Sequence, residues 1–264
     1  MDLIRVSSKM TSMPDRTSAQ TVRRAMQALK LIASGTSDGM RLADVAKALN
    51  FERPTAHRLL KALVAEGMLT QHPGSRRYAL GSLVFELGLN ATHQFNLVDI
   101  CRPTLNALAE QTGDTTFLFV RSGNDAVCLA RVQGPYPIQT PAVPVGARQP
   151  LGVNAGGLAL LSALSEREAL EITQAVAPRL TIYGNLSPEH IMEHWTKAQA
   201  SGYALIGNRA VPGVTAMGLP VINEKGKPIA AITVAATNSR MTQERIDEIL
   251  PLLRLATEAL SRKL

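Results

Sequence analysis

The sequence predicts an α+β protein of two domains, and three observations support this prediction. The chain has 264 residues, a length that suits two modest domains. Its charge is uneven: residues 1–80 hold 13 of the 28 Lys and Arg but only 6 of the 21 Asp and Glu, an excess of +7, whereas the rest of the chain is balanced. Helical periodicity opens the chain, and strand-like alternation becomes frequent only after residue 114.

The basic N-terminal part has the pattern of three helices followed by a hairpin. Ser18 can cap the first helix, and a three-residue turn separates the second helix from the third. The predicted segments are a mobile arm at 1–18, helices at 19–33, 42–49 and 54–67, and hairpin strands at 68–71 and 77–80. This order is the plan of a winged helix-turn-helix, predicted over residues 19–81.

Basic and polar side chains cluster on the third predicted helix and on the hairpin tip. A helix after a short turn can lie in the major groove, and long cations beside it suit the backbone or the minor groove. A solvated helix face or a membrane-binding surface would also explain the charges alone. The charge asymmetry and the turn favour double-stranded DNA, and the aromatic content of 4% disfavours single strands. The predicted contacts are Arg53, Thr55, His57, Arg58, Lys61, Arg76 and Arg77.

These segments resemble the DNA-binding domain of the IclR-type transcriptional regulators. The family pattern has an apolar-x-acidic-apolar-Ala run in the second helix, a Thr-x-His-Arg-Leu-Leu run in the third, a following Gly and a Tyr-x-Leu-Gly exit from the wing. This chain carries Leu42 to Ala46, the run Thr-Ala-His-Arg-Leu-Leu at 55–60, Gly67, and Tyr-Ala-Leu-Gly at 78–81. The Ser that commonly precedes the Thr is Pro54 here, so one hydroxyl of the pattern is absent.

The resemblance continues to the C-terminus. It implies a linker helix over residues 82–97 and a GAF-like effector-binding domain, built around an antiparallel sheet, over residues 98–264. Strands are predicted at 115–121, 126–132, 215–221 and 229–235, helices at 155–163, 166–175, 189–201 and 243–262, and an extended sheet edge at 135–145. Two positions depart from the family pattern, since Gly152 replaces a His and Leu158 replaces a Lys.

The segment from Gly152 to Gly157 opens a predicted helix that Asn154 can cap, and free N–H groups at a helix start attract an anion. Glycine there suits either close approach of a ligand or tight packing of the helix on a sheet. In the first case, bulk at Gly156 would block the site and leave the fold intact. The resemblance favours a ligand, and apolar walls suit a small organic acid with a ring or a branched body. The implied effector residues are Asn154, Ala155, Gly156, Ile206, Val214, Ala216, Thr233 and Ala235.

A metal-dependent hydrolase is the alternative hypothesis. The run from His190 to His194 matches the H-x-x-E-H pattern of some zinc peptidases, and both His side chains share one helix face. A predicted helix start at Ser187, however, puts His190 in an exposed first turn. Cys101 and Cys128 suit small core residues better than a disulfide or a zinc site.

The remaining expectations concern location and partners. No apolar run reaches the length of a membrane span and no signal-peptide pattern opens the chain, so a cytoplasmic protein with no membrane partner is expected. No metal or cofactor is expected. The predicted protein is a homodimer or homotetramer that binds a pseudo-palindromic operator, responds to a small organic acid, and regulates a catabolic operon, with repression as the expected direction.

Overall fold

The structure is a computed structural model that describes residues 16–35, 38–92, 96–208 and 211–264. Most of the predicted arm therefore lies outside the described residues. The chain divides into two compact units, Met1–His93 and Gln94–Leu264. None of the helices in the described ranges is both long and apolar enough to cross a membrane.

The N-terminal unit has the predicted order of elements, which are α1 (Arg16–Ala33), α2 (Leu42–Leu49), α3 (Arg53–Ala65), β1 (Leu69–Gln71), β2 (Tyr78–Leu80) and α4 (Ser82–Thr92). The first helix begins at Arg16, so Ser18 lies inside it and is not its cap. No Gly or Pro interrupts the chain between residues 16 and 33, and helix formation therefore extends to the earlier start. The helix α4 is described as far as Thr92, and residues 93–95 of the predicted linker helix lie outside the described residues.

Apolar side chains from α1, α2, α3 and both strands form the core of this unit. The fully enclosed members are Ala28, Leu29, Ile32, Val45, Leu60, Leu69 and Tyr78. The strands β1 and β2 pair antiparallel, with Leu69 opposite Leu80. The turn between α2 and α3 is tight because Asn50 adopts a left-handed conformation with φ of 52°. This turn fixes the angle between the two helices of the helix-turn-helix.

The C-terminal unit is built on one antiparallel sheet of six strands in the order β5-β4-β3-β8-β7-β6. Its strands are β3 (Thr115–Ser122), β4 (Asp125–Val132), β5 (Arg148–Pro150), β6 (Ala204–Gly207), β7 (Val214–Ile222) and β8 (Pro228–Thr237). Its helices are α5 (Leu97–Thr112), α6 (Ala155–Ser162), α7 (Glu166–Val176), α8 (Pro188–Ser201) and α9 (Gln243–Ser261).

Helices cover both faces of this sheet. The α5 and α9 helices pack on one face, around Leu118, Ile232 and Val234. The α6 helix packs on the other face, with α7 and α8 outside it, around Phe117, Phe119 and the buried leucines of α6. Successive residues of a strand point to opposite faces, so neighbouring side chains in β3 and β8 belong to different cores. The core between the sheet and α6 contains the cavity described below.

The extended edge predicted at residues 135–145 is wrong. This segment forms no strand, and the edge of the sheet is β5, which follows it. Four prolines in the segment remove N–H groups that a strand would need. Side-chain hydrogen bonds fix it instead: Thr140 donates to the carbonyl of Ala235 over 2.8 Å, and Gln139 accepts from the Thr115 hydroxyl over 2.7 Å.

Candidate DNA-binding and effector sites

The exposed face of α3 carries most of the predicted DNA contacts. Ala56 and Leu60 hold the helix on the core and are fully buried. Arg53, His57 and Lys61 recur every four residues along the exposed side. Arg58 is exposed beside them, whereas Thr55 is half-buried. Four of the five predicted α3 side chains are thus free to reach a groove, and only part of Thr55 is accessible.

The two arginines at the wing have different surroundings. Arg76 is exposed at the hairpin tip and has a φ of 56°. Arg77 is half-buried, and its Nη1 donates to the carbonyl oxygen of Gly39 over 2.8 Å. Gly39 in turn has no room for a side chain, because an added Cβ would lie 2.5 Å from the carbonyl oxygen of Tyr78. Arg77 therefore ties the wing to the segment before α2, a role that the sequence did not indicate.

A cavity lies between the start of α6 and the sheet in the C-terminal unit. Every residue predicted for the effector site lines it. The lining residues are Phe117, Phe119, Ala142, Val143, Asn154, Ala155, Gly156, Ile206, Val211, Val214, Ala216, Thr233 and Ala235. The space open to the centres of water molecules is about 40 Å³, room for about three waters. No ionisable side chain is among these described lining residues.

The polar end of the cavity is the first turn of α6. The Asn154 side chain accepts a hydrogen bond from the Gly157 N–H over 2.7 Å, which confirms the predicted cap, and its amide donates to Gln149 over 2.6 Å. Within the described residues, no acceptor bonds the N–H of Ala155 or Gly156. A helix start leaves such donors open and carries partial positive charge. Ala155 and Gly156 both line the cavity, so its polar end is a helix start with two N–H groups that have no described acceptor.

Two glycines allow the start of α6 to approach the sheet. A Cβ on Gly218 of β7 would lie 2.8 Å from the Thr233 methyl carbon and 3.0 Å from the Ala155 carbonyl oxygen. A Cβ on Gly156 would lie 2.2 Å from the Phe119 ring. Tight packing of the helix on the sheet therefore explains Gly156, and the expectation that bulk there leaves the fold intact is wrong.

The two departures from the family pattern are accommodated by packing. Gly152 has a φ of 91°, and an added Cβ would lie 2.4 Å from the side chain of Ile191 in α8. Leu158 is 1% exposed within the core. Neither position can contribute a charged side chain to the cavity without rearrangement of the helices around it.

The surroundings of His190, Cys101 and Cys128 do not form a metal site or a reactive site among the described residues. His190 is exposed in the first turn of α8 and lies 3.1 Å from the Ser187 hydroxyl. In the described part of the chain, no group of three His, Cys, Asp or Glu side chains could hold a metal ion. Cys101 and Cys128 are buried, as predicted, and burial raises the pKa of each thiol to about 11.

Five lining residues were missed from the sequence. Phe117 and Phe119 alternate on β3 and so point to the same face, and that period-two pattern could have identified them. Their rings stack with centroids 6.0 Å apart. Ala142, Val143 and Val211 lie outside helices and strands, where no periodic signal exists.

Two family models match the chain. The IclR helix-turn-helix domain matches residues 21–73, and the bacterial transcriptional regulator IclR C-terminal domain matches residues 89–262. The chain belongs to the IclR family. It is thus a transcriptional regulator with a DNA-binding helix-turn-helix and an effector domain, and the predicted family is confirmed.

Curated IclR-family relatives match over most of their lengths. The HTH-type transcriptional regulator XynR of Escherichia coli is 27% identical over 246 residues, which cover 93% of this chain and 97% of the relative. The transcriptional repressor IclR of Escherichia coli is 26% identical over 232 residues, which cover 87% of this chain and 84% of the relative. These relatives are regulators and not enzymes, which overturns the metal-hydrolase alternative.

Solved IclR-family structures share the fold. An IclR transcriptional regulator from Silicibacter has a TM-score of 0.79 at 23% identity, with 92% of this chain and 95% of that chain covered. An IclR homolog from Microbacterium hydrocarbonoxydans, complexed with 4-hydroxybenzoate, has a TM-score of 0.67 at 21% identity, with 92% and 100% covered. The predicted α+β fold class is confirmed.

Proposed function

We propose that this IclR-family protein is a repressor that binds a pseudo-palindromic operator as a homodimer or homotetramer and responds to a small organic acid. An even number of copies is needed because two equivalent half-sites of DNA bind two equivalent helix-turn-helix domains, one from each protomer. A catabolic operon is the proposed target, since organic acids are common substrates and intermediates of catabolism. The two helix-turn-helix domains are proposed to adopt two relative arrangements, of which one fits the operator. The ligand changes DNA binding only if it binds the protein in these two arrangements with different affinities.

The DNA interface rests on the exposed cations of α3 and the wing. The N-terminal 80 residues carry the whole excess charge of the chain, and such a localised excess favours a polyanion. We assign base-edge contacts to Arg53 and His57, with Thr55 and Lys61 beside them. Arg58 and Arg76 are assigned to phosphates, and Arg77 to positioning the wing.

The test of this interface is operator binding by Arg58→Ala as a function of salt. Loss of one phosphate contact in each of the two half-sites should weaken binding to all sequences and lower the slope of log affinity against log salt by about 1.8. Arg167→Ala is the matched control, because Arg167 is an exposed arginine of α7 in the other unit. Unchanged affinity and slope for Arg58→Ala would contradict this docking.

A domain division is part of the proposal. Residues 19–81 form the DNA-binding domain, residues 82–97 the linker, and residues 98–264 the effector domain. A fragment of residues 82–264 should fold, remain oligomeric and bind the ligand, while its DNA affinity at moderate salt is negligible because its charges balance. Tight, salt-sensitive binding of DNA by this fragment would refute the division.

The cavity is the proposed effector site, and the observation that carries this assignment is its composition: apolar walls with two open N–H groups at one end. Two neighbouring donors suit the two oxygens of one carboxylate, and none of the described lining residues is a cation that would neutralise a second carboxylate. The complex of one IclR-family relative with 4-hydroxybenzoate supports an organic acid.

The test of the effector site compares carboxylic acids with their uncharged amides in a thermal-shift screen on the full chain. A bound acid should raise the melting temperature with log concentration, whereas the matching amide should not. A protein stabilised only by uncharged or cationic compounds would refute the anion assignment, while the DNA-binding assignment would survive.

A further inference from the structure

We infer that Pro54 is a specificity-determining residue of the DNA interface, and that its ring contacts the 5-methyl group of one thymine in each half-site of the operator. This inference rests on the proposed docking of α3 and specifies it further, because the base-edge contacts assigned above, Arg53 and His57, are polar side chains. It predicts a thymine at one fixed position of each half-site.

The position of Pro54 on α3 carries the first step. Ala56 and Leu60 are fully buried and so mark the side of the helix that faces the core. Because an α-helix turns by about 100° per residue, Pro54 lies about 160° around the axis from Ala56 and about 120° from Leu60. Pro54 is exposed and belongs to the first turn of α3. It therefore lies on the side of this turn that points away from the core.

The neighbours of Pro54 on this side are predicted DNA contacts. Residues three and four apart are adjacent on the surface of a helix, so Pro54 lies beside His57 and Arg58, which are both exposed. The N-terminal residues of a recognition helix are the ones that contact base edges in the major groove. Docking of α3 through its cations therefore brings the Pro54 ring to the base edges as well.

The chemistry of the proline ring selects the group that it can recognise. Pro54 has no N–H, and its ring has no atom that donates or accepts a hydrogen bond, so it can bond neither a phosphate nor a polar atom of a base. Polar base atoms against the ring would lose water without gaining a partner. The 5-methyl group of thymine is the apolar group that a base pair presents in the major groove. Thymine is therefore the base that suits this contact.

A purely structural role for Pro54 is the alternative explanation. Proline suits the first turn of a helix, because its φ is already helical and its missing N–H would have no intrahelical partner there. Such a role does not distinguish DNA with thymine methyl groups from DNA without them, whereas the inferred contact does. The two explanations therefore differ in how the affinity for the operator changes when thymine methyl groups are removed.

The test measures binding of the full chain, by fluorescence anisotropy at one fixed salt concentration, to an operator selected from a pool of random duplex DNA. Each symmetric pair of thymines in the two half-sites is replaced in turn by deoxyuridine, which lacks only the methyl group. One buried methyl group contributes about fourfold to affinity, so replacement of the contacted pair should weaken wild-type binding about fifteenfold. For Pro54→Ser the same replacement should change the affinity by less than about twofold.

Two further variants keep the inference testable if Pro54→Ser does not fold. Pro54→Ala retains a methyl group at this position and should show an intermediate loss with deoxyuridine. Ala65→Ser is the matched control, because Ala65 is exposed on the same side of α3 but lies in its last turn. It should keep the full loss of the wild type. Far-ultraviolet circular dichroism and the melting temperature check that each variant is folded.

The outcomes separate this inference from the proposed function. An operator that loses no affinity with deoxyuridine, or loses it equally for the wild type and the Pro54 variants, overturns the methyl contact and leaves the DNA interface standing. Failure to select any operator overturns both. A loss at one thymine pair that disappears in Pro54→Ser supports both.

Discussion

Replacement of Gly156 by alanine should destabilise the C-terminal unit. The new Cβ would lie 2.2 Å, 2.6 Å and 2.9 Å from three atoms of the Phe119 ring, so α6 or the ring must move. Overpacking of this kind costs about 2–3 kcal/mol, and the better helix propensity of alanine returns up to about 1 kcal/mol. The expected net loss is about 1–2 kcal/mol, or roughly 3–6 °C in Tm.

Gly157→Ala in the same turn of α6 is the matched control. Its Cβ would meet its nearest neighbours, the Gly152 nitrogen and the Ala126 Cβ, at 3.2 Å and 3.3 Å, so those atoms would need to shift by only a few tenths of an ångström, far less than at Gly156. The assay is urea unfolding followed by Trp195 fluorescence, which reports on this unit because the indole N–H donates to the Leu161 carbonyl at the end of α6 over 3.1 Å.

The free energy of unfolding should be lower for Gly156→Ala than for Gly157→Ala, and Phe119→Leu should recover part of the loss in a double-mutant cycle. Equal midpoints for the two glycine variants would refute the packing explanation of Gly156.

Three further predictions concern the wing, the thiols and a buried carboxylate. Arg76→Ala should weaken only DNA binding, whereas Arg77→Ala should also lower the melting temperature of the N-terminal unit, because it loses the Gly39 contact; calorimetry and gel shifts distinguish them. The free energy of unfolding should fall between pH 9 and pH 11 by about 2–3 kcal/mol per thiol. The reason is that Cys101 and Cys128 stay protonated in the folded state, while the thiols of the unfolded chain ionise. Urea titrations of a variant with both cysteines replaced by alanine should show a smaller change of this free energy with pH. Asp114, 1% exposed, accepts from two arginines, so Asp114→Asn should cost about 3 kcal/mol in urea unfolding.

Elements with a clear apolar period were predictable from the sequence. Helix α2 occupies the predicted residues 42–49, with Val45 and Ala46 buried as expected. The strand residues of the cavity, Val214, Ala216, Thr233 and Ala235, came from the family resemblance. Their alternation on β7 and β8 agrees with that choice, because residues two apart in a strand point to the same face of the sheet.

Features that depend on distant contacts were not predictable. A glycine is required both where a ligand approaches the backbone and where a helix packs on a sheet. The sequence alone could not distinguish these two explanations of Gly156, because the decisive contact is with Phe119 on a separate strand. Likewise, the role of Arg77 depends on its hydrogen bond to the carbonyl of Gly39, which is far away in sequence. The irregular course of residues 135–145 depends on bonds made by Gln139 and Thr140 with distant strands.

Among the described residues that line the cavity none is charged, and this is a property of the packing and not of one side chain. A second carboxylate on the ligand would need a buried cation, because burial of an unpaired charge costs several kcal/mol. The two positions where the family pattern has His and Lys cannot supply it: Gly152 is pressed against Ile191, and Leu158 fills the core. Selection for a dianionic ligand would therefore require changes in α6 and α8 together. The two open N–H groups of α6 suffice for one carboxylate, which is why we expect a monocarboxylate in this chain.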